Sequence, residues 1–215
     1  MKPIERHHSQ FRTIENASLE IIFLFVVPIA LLYFGIIPVQ YRIFVLLIFS
    51  LFIFGIIRKQ KWKDEELGLT TKNIPHAFAT YAIATTIALA VIIFSAQEFN
   101  FHPILKHWWT SPHFLFMFAV VSFFQEFAFR GFLMPLLKKV FPDSFTIITV
   151  NALLFSGMHA IYPFPYIGLP FAFIGGLFFA ILYHKYPNLI LVSISHAILN
   201  FAVVWFGLFV IPNVF

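Results

Sequence analysis

Long apolar runs alternate with short polar stretches along almost the whole chain. Seven of these runs approach the roughly 20 residues that a helix needs to cross a bilayer. The pattern therefore predicts an all-α fold, a polytopic membrane bundle of about seven transmembrane helices in a single domain over residues 1–215. The predicted spans are Leu19–Ile37, Ile43–Ile57, Ala77–Ser95, Phe114–Leu137, Phe145–Ile161, Ile167–Tyr183 and Leu189–Ile211.

Composition supports a membrane protein and excludes several kinds of site. The chain is 60% hydrophobic and only 11% charged, whereas a soluble domain has roughly 25% charged residues. Cysteine is absent, which excludes a disulfide, a thiolate nucleophile and a Cys-based metal site. The net charge of +5 comes from residues between apolar runs rather than along one face. We therefore expect membrane lipids, and no nucleic acid, as partners; the oligomeric state is left open.

The charges in the loops predict the orientation of the bundle. Cytoplasmic loops of membrane proteins carry an excess of Lys and Arg. On one side of the predicted bundle only Arg42 and Lys106 are basic. This distribution predicts a cytoplasmic N-terminus and a C-terminus on the opposite side. The basic residues predicted to be cytoplasmic are Lys2, Arg6, Arg12, Arg58, Lys59, Lys61, Lys63, Lys72, Lys138, Lys139 and Lys185.

The fourth span carries polar side chains that lipid cannot solvate. Its stretch SFFQEFAFRGF, residues 122–132, contains Gln125, Glu126 and Arg130, although one charge at the bilayer centre costs roughly 2.5–3.5 kcal/mol. Glu126 and Arg130 are four residues apart, the spacing of an ion pair on one helix face. Such a pair could serve packing alone. A polar face this wide nevertheless needs partners from other helices, because lipid offers none.

Two later spans offer those partners. The fifth contains His159 in FSGMHA, and the seventh contains His196 and Asn200 in SISHAILN, one helical turn apart. A lone intramembrane histidine is often a hydrogen-bonded packing residue, but polar groups on three spans together indicate a shared site. We expect the last four spans to form a polar cavity, with residues 114–205 as the core region. In the sixth span, a stripe of small residues indicates close helix packing: Ala172, Gly176 and Ala180.

These side chains suit the hydrolysis of an amide bond. A carboxylate and an imidazole can hold and deprotonate a water molecule, and a second imidazole with an amide can stabilise the resulting oxyanion. No cofactor is needed for this chemistry. In an alternative, Glu126, His159 and His196 bind Zn²⁺ and leave a position for water, although the sequence lacks an HExxH motif.

With these residues the chain resembles the CPBP family of intramembrane endopeptidases, also called the Abi family, which includes the CAAX prenyl endopeptidase and bacteriocin-processing proteins. The family motifs EExxxR, FxxxH and HxxxN correspond to Gln125 through Arg130, Phe155 through His159 and His196 through Asn200. The resemblance covers about residues 114 to 205. It implies a multi-helix bundle with a water-filled cavity and a glutamate-dependent, metal-free protease. It also implies that the first Glu and the earlier motif His activate water, the later His and Asn form the oxyanion site, and the second Glu lies near the motif Arg.

The sequence departs from this pattern where Gln125 replaces the first Glu, because an amide cannot act as a general base. Three interpretations are open. Glu126 takes over with His159 as co-base, or the chain is a catalytically silent member that acts in membrane binding, as a scaffold or as an immunity-type protein. In the third, Gln125 is an inactivating change introduced into an active sequence. The favoured reading is an intramembrane peptidase that acts on a peptide or a lipid-modified protein.

Overall fold

The computed structural model describes residues 14–99, 112–162 and 165–208, and these residues form helices joined by short connections. The fourth helix, α4, comprises three continuous segments, and α5 ends in a 3₁₀ turn. Six of the helices are long and apolar enough to cross a membrane, and α7 is a shorter apolar helix. The helices are α1 (Ile14–Tyr33), α2 (Arg42–Gln60), α3 (Ile74–Glu98), α4 (Pro112–Glu126, Phe127–Leu133 and Met134–Val140), α5 (Ser144–Gly157, with the turn Met158–Ile161), α6 (Pro165–Lys185) and α7 (Leu189–Trp205).

The predicted all-α, polytopic bundle is therefore confirmed, and the differences concern helix ends. The first helix already includes Ile14, five residues before the predicted start. The last ends at Trp205 rather than at Ile211, which lies outside the described residues. Gly207 ends this helix because its φ of 70° is left-handed, a conformation that glycine adopts without steric cost.

Two side chains fix the starts of the core helices α5 and α7. Asp143 Oδ1 accepts a hydrogen bond from the Thr146 backbone N–H at 2.8 Å, and this bond lowers the pKa of the Asp143 carboxyl. Asn188 Oδ1 accepts from the Leu191 N–H at 2.9 Å in the same way. Both are N-caps, which satisfy backbone donors that the helix itself leaves unpaired. The caps define the level at which each helix enters the bundle.

Helix α4 lies at the centre of the bundle. In the most apolar 18-residue stretch of α4, 56% of the residues are buried inside the protein. In the corresponding stretch of α3, 17% are buried. Helices α5 and α6 pack closely against each other. A side-chain carbon added to Gly176 would lie only 3.1 Å from the Ala152 Cα atom, so a larger residue here would have to push the two helices apart by a few tenths of an ångström. The stripe of Ala172, Gly176 and Ala180 is buried, as the sequence predicted for a packing face.

The middle segment of α4, Phe127–Leu133, is a π-helix whose residues are all buried. A π segment has a wider turn than an α-helix and often accompanies a functional site. Here the buried Asn151 of α5 supports it, because Asn151 Nδ2 donates to the Phe129 carbonyl at 2.7 Å. Arg130 lies within this segment and Glu126 immediately precedes it. The local backbone thus determines where both charged side chains point.

Candidate active site

Glu126 and Arg130 form the expected ion pair in the interior of the bundle. Arg130 Nη1 lies 3.1 Å from Glu126 Oε1, and neither side chain is exposed. Arg130 Nη2 also donates to the Gly176 carbonyl of α6 at 2.9 Å. The guanidinium carbon lies 4.5 Å from the Phe155 ring centre and 5.5 Å from that of Phe179. Such pairing offsets part of the cost of burying two charges.

His196 of α7 binds the same carboxylate. Its Nδ1 lies 2.6 Å from Glu126 Oε1, and since a carboxylate oxygen accepts, the Nδ1–H donates. The ring stacks on Phe179 with centres 4.6 Å apart and contacts Phe155 edge-on at 5.6 Å. Glu126 Oε1 therefore links α4 to α7 through His196 and accepts from Arg130 as well. His196 is held by one carboxylate and two aromatic rings.

His159 has a different partner. It lies on the 3₁₀ turn after α5, and its Nδ1 is 2.9 Å from the Phe155 carbonyl oxygen. A carbonyl only accepts, so the Nδ1–H donates and the lone pair of the neutral ring is on Nε2. Its ring centre is 4.9 Å from that of Phe155 and 5.8 Å from that of Tyr162. Both histidines therefore use Nδ1 for a hydrogen bond to the protein and leave Nε2 for other contacts. The acceptor is a carboxylate for His196 and a neutral carbonyl for His159.

A cavity of about 870 Å³ brings the predicted residues together, but not all of them line it. The cavity wall includes Gln125, His159, His196 and Asn200. Glu126 and Arg130 do not line it and lie behind the wall. The polar lining comes largely from the last four helices, as expected, while α1, α2 and α3 add a mostly apolar wall that sequence reasoning had not included.

Two carboxamides complete the polar part of the wall. Gln125 is buried, and its Oε1 has no hydrogen-bond partner among the described residues. Asn200 Nδ2 makes a long 3.4 Å bond to the buried Ser122 hydroxyl. An unpaired buried carbonyl oxygen is costly unless water or a ligand satisfies it. Gln125 Oε1 and Asn200 are therefore suitable contacts for a water molecule and a polar substrate group.

The alternative zinc site does not fit this geometry. In the described parts of the chain, no group of three or more His, Asp and Glu side chains is arranged to hold a metal ion. Glu126, His159 and His196 do not form one, because Glu126 lies behind the wall with His196 and Arg130 on the same oxygen. A divalent cation at this oxygen would displace the His196 ring and repel Arg130. We therefore derive no step from a metal.

Sequence reasoning missed two residues that support the site. Asn151 could have been found from the sequence, because it is a polar residue in the apolar fifth span and such residues need partners. Phe179, which contacts Arg130 and His196, had none, since it is one of 32 phenylalanines.

The family model described as Type II CAAX prenyl endopeptidase Rce1-like matches residues 107–202, the stretch that carries the three motifs. This part of the chain is therefore similar to the type II CAAX prenyl endopeptidases. With six helices long and apolar enough to cross a membrane, the protein is an integral, multi-pass membrane protein. No curated protein and no solved structure matches the chain significantly.

Proposed function

We propose that the protein is an intramembrane endopeptidase that hydrolyses a peptide bond of a lipid-modified protein in the cavity of about 870 Å³. One observation carries the proposal: Gln125, His159, His196 and Asn200, from three separate motifs, line the same cavity. Polar groups are expensive inside a membrane, so their convergence on one space indicates chemistry rather than packing. The apolar remainder of the wall suits a substrate lipid chain and adjacent apolar residues.

His159 is the proposed general base. Gln125 cannot accept a proton at neutral pH, and Glu126 lies behind the wall with one oxygen on Arg130 and His196. Water positioned by Gln125 Oε1 gives its proton to His159 Nε2 while its oxygen bonds to the substrate carbonyl carbon. When the C–N bond breaks, His159 returns the proton to the leaving amine. The first interpretation of the sequence made Glu126 the base and His159 the co-base. The proposed mechanism keeps His159 as the base and makes Glu126 a positioning residue.

His196 and Asn200 are the proposed oxyanion site. Both line the cavity, and Asn200 carries an amide donor. His196 can donate from Nε2 when its ring carries both protons, and the Glu126 carboxylate then balances the charge of the ring. The hydrogen bond to Glu126 also fixes the ring, so that no reorganisation is needed as the oxyanion develops. The two histidines thus take different roles because their Nδ1 partners differ.

The protein is proposed to lie in the membrane with its N-terminus in the cytoplasm. Lys2, Arg6 and Arg12, and Lys106 of the opposite side, lie outside the described residues. The other basic residues predicted to be cytoplasmic are exposed at one end of the bundle. The cavity is lined by the opposite halves of the helices, from Leu24 to Leu32 in α1 and from Arg42 to Ile53 in α2. This supports a cavity in the half of the bundle away from the cytoplasm.

The absence of native cysteine permits a direct test of this orientation. Single-cysteine variants Lys61→Cys and Ile36→Cys, both at exposed positions, are treated in intact cells with a membrane-impermeant maleimide. We expect Ile36→Cys to react and Lys61→Cys to react only after lysis. The opposite pattern would place the cavity in the cytoplasmic half.

A catalytically silent member is the second candidate, and Gln125 is the observation that favours it. The purified chain and its Gln125→Glu variant are assayed in lipid vesicles with a library of prenylated and unmodified peptides. Gln97→Glu, at an exposed position on α3, is the matched control. We expect slow cleavage by the chain and by Gln97→Glu, and cleavage faster by about 10²-fold or more in Gln125→Glu.

Substitution of the histidines identifies the base. His159→Ala is expected to lower cleavage by about 10²–10⁴-fold, and His196→Ala also lowers it, while the exposed control His76→Ala has no effect. Binding of peptides without cleavage by either the chain or Gln125→Glu would support the silent candidate. Full cleavage by His159→Ala would exclude His159 as base.

A further inference from the structure

Residues 62–73, between α2 and α3, form a folded segment that we call the brace. Its 3₁₀ turn, Asp64–Leu67, is closed at the start by the Lys63 backbone N–H, which donates to Glu66 Oε2 at 2.6 Å. The turn ends at Gly68, whose φ of 68° is left-handed. Gly68 and the residue before it are buried, although the charged residues around them are exposed. A segment with its own turn and a buried end has a defined position in the fold.

The brace packs on the π segment of α4. The rings of Trp62 and Phe132 stack with their centres 5.2 Å apart. Leu67 is buried, and its carbonyl oxygen would lie 3.5 Å from a side-chain carbon added to Gly131. Gly131 and Phe132 directly follow Arg130 in the sequence. The brace therefore contacts the part of α4 that carries the buried ion pair.

The brace also binds the start of α7. The backbone N–H of Leu189 donates to the Gly68 carbonyl at 2.9 Å. The buried Asn188 caps α7 with Oδ1, while its Nδ2 donates to the Thr70 carbonyl at 2.9 Å and to Asn73 Oδ1 at 2.7 Å. The first N–H groups of a helix have no partner within the helix. By supplying one, the brace fixes the level at which α7 begins.

Helix α6 meets the brace at Gly68. A side-chain carbon added to Gly68 would lie 2.5 Å from the Tyr183 hydroxyl oxygen. The Tyr183 hydroxyl has no hydrogen-bond partner among the described residues, so this contact is steric. Since Gly68 also has a left-handed φ, any side chain here would be strained and would displace the brace or the Tyr183 ring.

We propose that Gly68 and Asn188 are positioning residues that hold α7 against α4 through the brace. Their role is to keep the His196 ring on the Glu126 carboxylate, where Nδ1 and Oε1 are 2.6 Å apart. His196 lies about two helical turns after Leu189 in α7, so a shift at the start of this helix moves the ring. The inference rests on the proposed function, in which His196 belongs to the oxyanion site.

The hydrogen bonds of the brace add something that apolar packing does not. Apolar contact is non-directional, whereas a hydrogen bond requires one distance and one direction. The bonds at Gly68 and Asn188 therefore fix the level of α7 along its own axis. A misplacement of about 1 Å that originates far from the reacting atoms can cost roughly 10²-fold in rate. Of the described residues that line the cavity, none belongs to the brace, so it acts on the site through the helices.

The first test observes the bond between His196 and Glu126 directly. Proton NMR of the protein in nanodiscs, with isotope-labelled histidine, detects the proton on His196 Nδ1, which a short charge-assisted bond shifts far downfield. The signal is assigned by its absence in His196→Gln. We expect Gly68→Ala to lose this signal or to move it upfield. Gly35→Ala should keep it, because Gly35 has a similar φ of 70° but no atom within 4 Å of an added side-chain carbon.

Asn188→Asp tests the same connection without backbone strain. Aspartate caps a helix about as well as asparagine, so α7 keeps its cap, whereas both bonds from Nδ2 to the brace are lost. The same loss or upfield shift of the His196 signal is expected. The matched control is Asp143→Asn, which makes the reverse exchange at the N-cap of α5 and should leave the signal unchanged. This pair decides the matter if Gly68→Ala does not fold.

Cleavage kinetics supply a second readout. In the Gln125→Glu background, Asn188→Asp should lower kcat by about tenfold or more with KM nearly unchanged, because the brace does not line the cavity. Rates are referred to the folded fraction measured by circular dichroism, so that a loss of stability alone does not mimic the effect. Asp143→Asn in the same background should retain both values.

The proposal would be overturned by an unchanged His196 signal in folded Asn188→Asp, by an equal change in Asp143→Asn, or by absence of the signal in the unsubstituted chain. Failure of Asn188→Asp to fold would also overturn it, since the brace would then be a requirement of the fold. The NMR signal is measured without turnover, which separates this failure from failure of the proposed function. Cleavage with an unchanged signal would exclude the brace alone, and a changed signal without cleavage would support the brace in a silent protein.

Discussion

Gln125 and Glu126 are adjacent in sequence but face opposite surroundings. Gln125 lines the cavity, and its carbonyl oxygen has no partner among the described residues. Glu126 is turned to the interior behind the wall, where Arg130 and His196 share one of its oxygens. The site therefore has a cavity side, Gln125 with His159 and Asn200, and a buried side formed by Glu126, Arg130 and Asn151. The cavity side is arranged for ligands, and the buried side holds those ligand-binding groups in position.

Substitutions on the two sides should have different costs. On the buried side every charge or amide contacts another helix, so loss of a group leaves its partner unpaired in an apolar interior. On the cavity side a lost group is replaced by water or by substrate. Substitutions on the buried side should consequently affect stability first, whereas those on the cavity side should affect binding and catalysis at nearly constant stability.

The largest expected effect is that of Arg130→Leu. This change leaves the fully buried Glu126 carboxylate without its cation and removes the bond to the Gly176 carbonyl. Removal of one partner of a buried ion pair typically costs about 3–5 kcal/mol. Unfolding of the purified variant in mixed micelles, followed by circular dichroism, should show a loss in this range or a failure to fold.

Two further variants separate the missing charge from the missing side chain. Arg58→Leu removes an exposed arginine near the end of α2 and should change stability little. The double variant Glu126→Gln/Arg130→Leu should recover part of the loss, because no uncompensated charge remains. If Arg130→Leu were as stable as Arg58→Leu, the pair would have no structural role, and the distinction between the two sides would fail.

Some features of this arrangement can be recognised in the sequence, and others cannot. Helices of about 20 apolar residues are directly visible, and so are charges within them, because lipid makes both conspicuous. The spacing of Glu126 and Arg130 predicted their pairing. The exclusion of Glu126 from the cavity was not predictable, because the side of α4 that faces the cavity is set by the packing of the other helices around it.

The contribution of the first three helices was also hidden from sequence. Their apolar residues face lipid, other helices or the cavity, and all three surroundings select the same residue types. Only Arg42 stands out, and the charge pattern predicts for it a loop position on the side opposite the cytoplasm. Its position in the cavity wall depends on the tertiary packing of α2.

The same change, Asn to Leu, can be made at one carboxamide on each side. Its effects are expected to be smaller than that of Arg130→Leu, but they compare the two sides directly. Asn151 on the buried side donates to the Phe129 carbonyl at 2.7 Å, whereas the bond from Asn200 on the cavity side to Ser122 is 3.4 Å long. Asn151→Leu leaves a carbonyl of the π segment unpaired and should cost about 1–3 kcal/mol. Asn200→Leu should cost less than that, yet reduce cleavage or peptide binding more.

Both variants are compared by the same unfolding transition and by the same peptide titration. The expected result is a crossover, with Asn151→Leu lower in stability and Asn200→Leu lower in binding or cleavage. A greater stability loss for Asn200→Leu would mean that the Ser122 bond supports the bundle and that the cavity side is itself structural. The crossover, in contrast, would show that the scaffold behind the wall and the chemistry in front of it can be altered independently, although one helix carries residues of both.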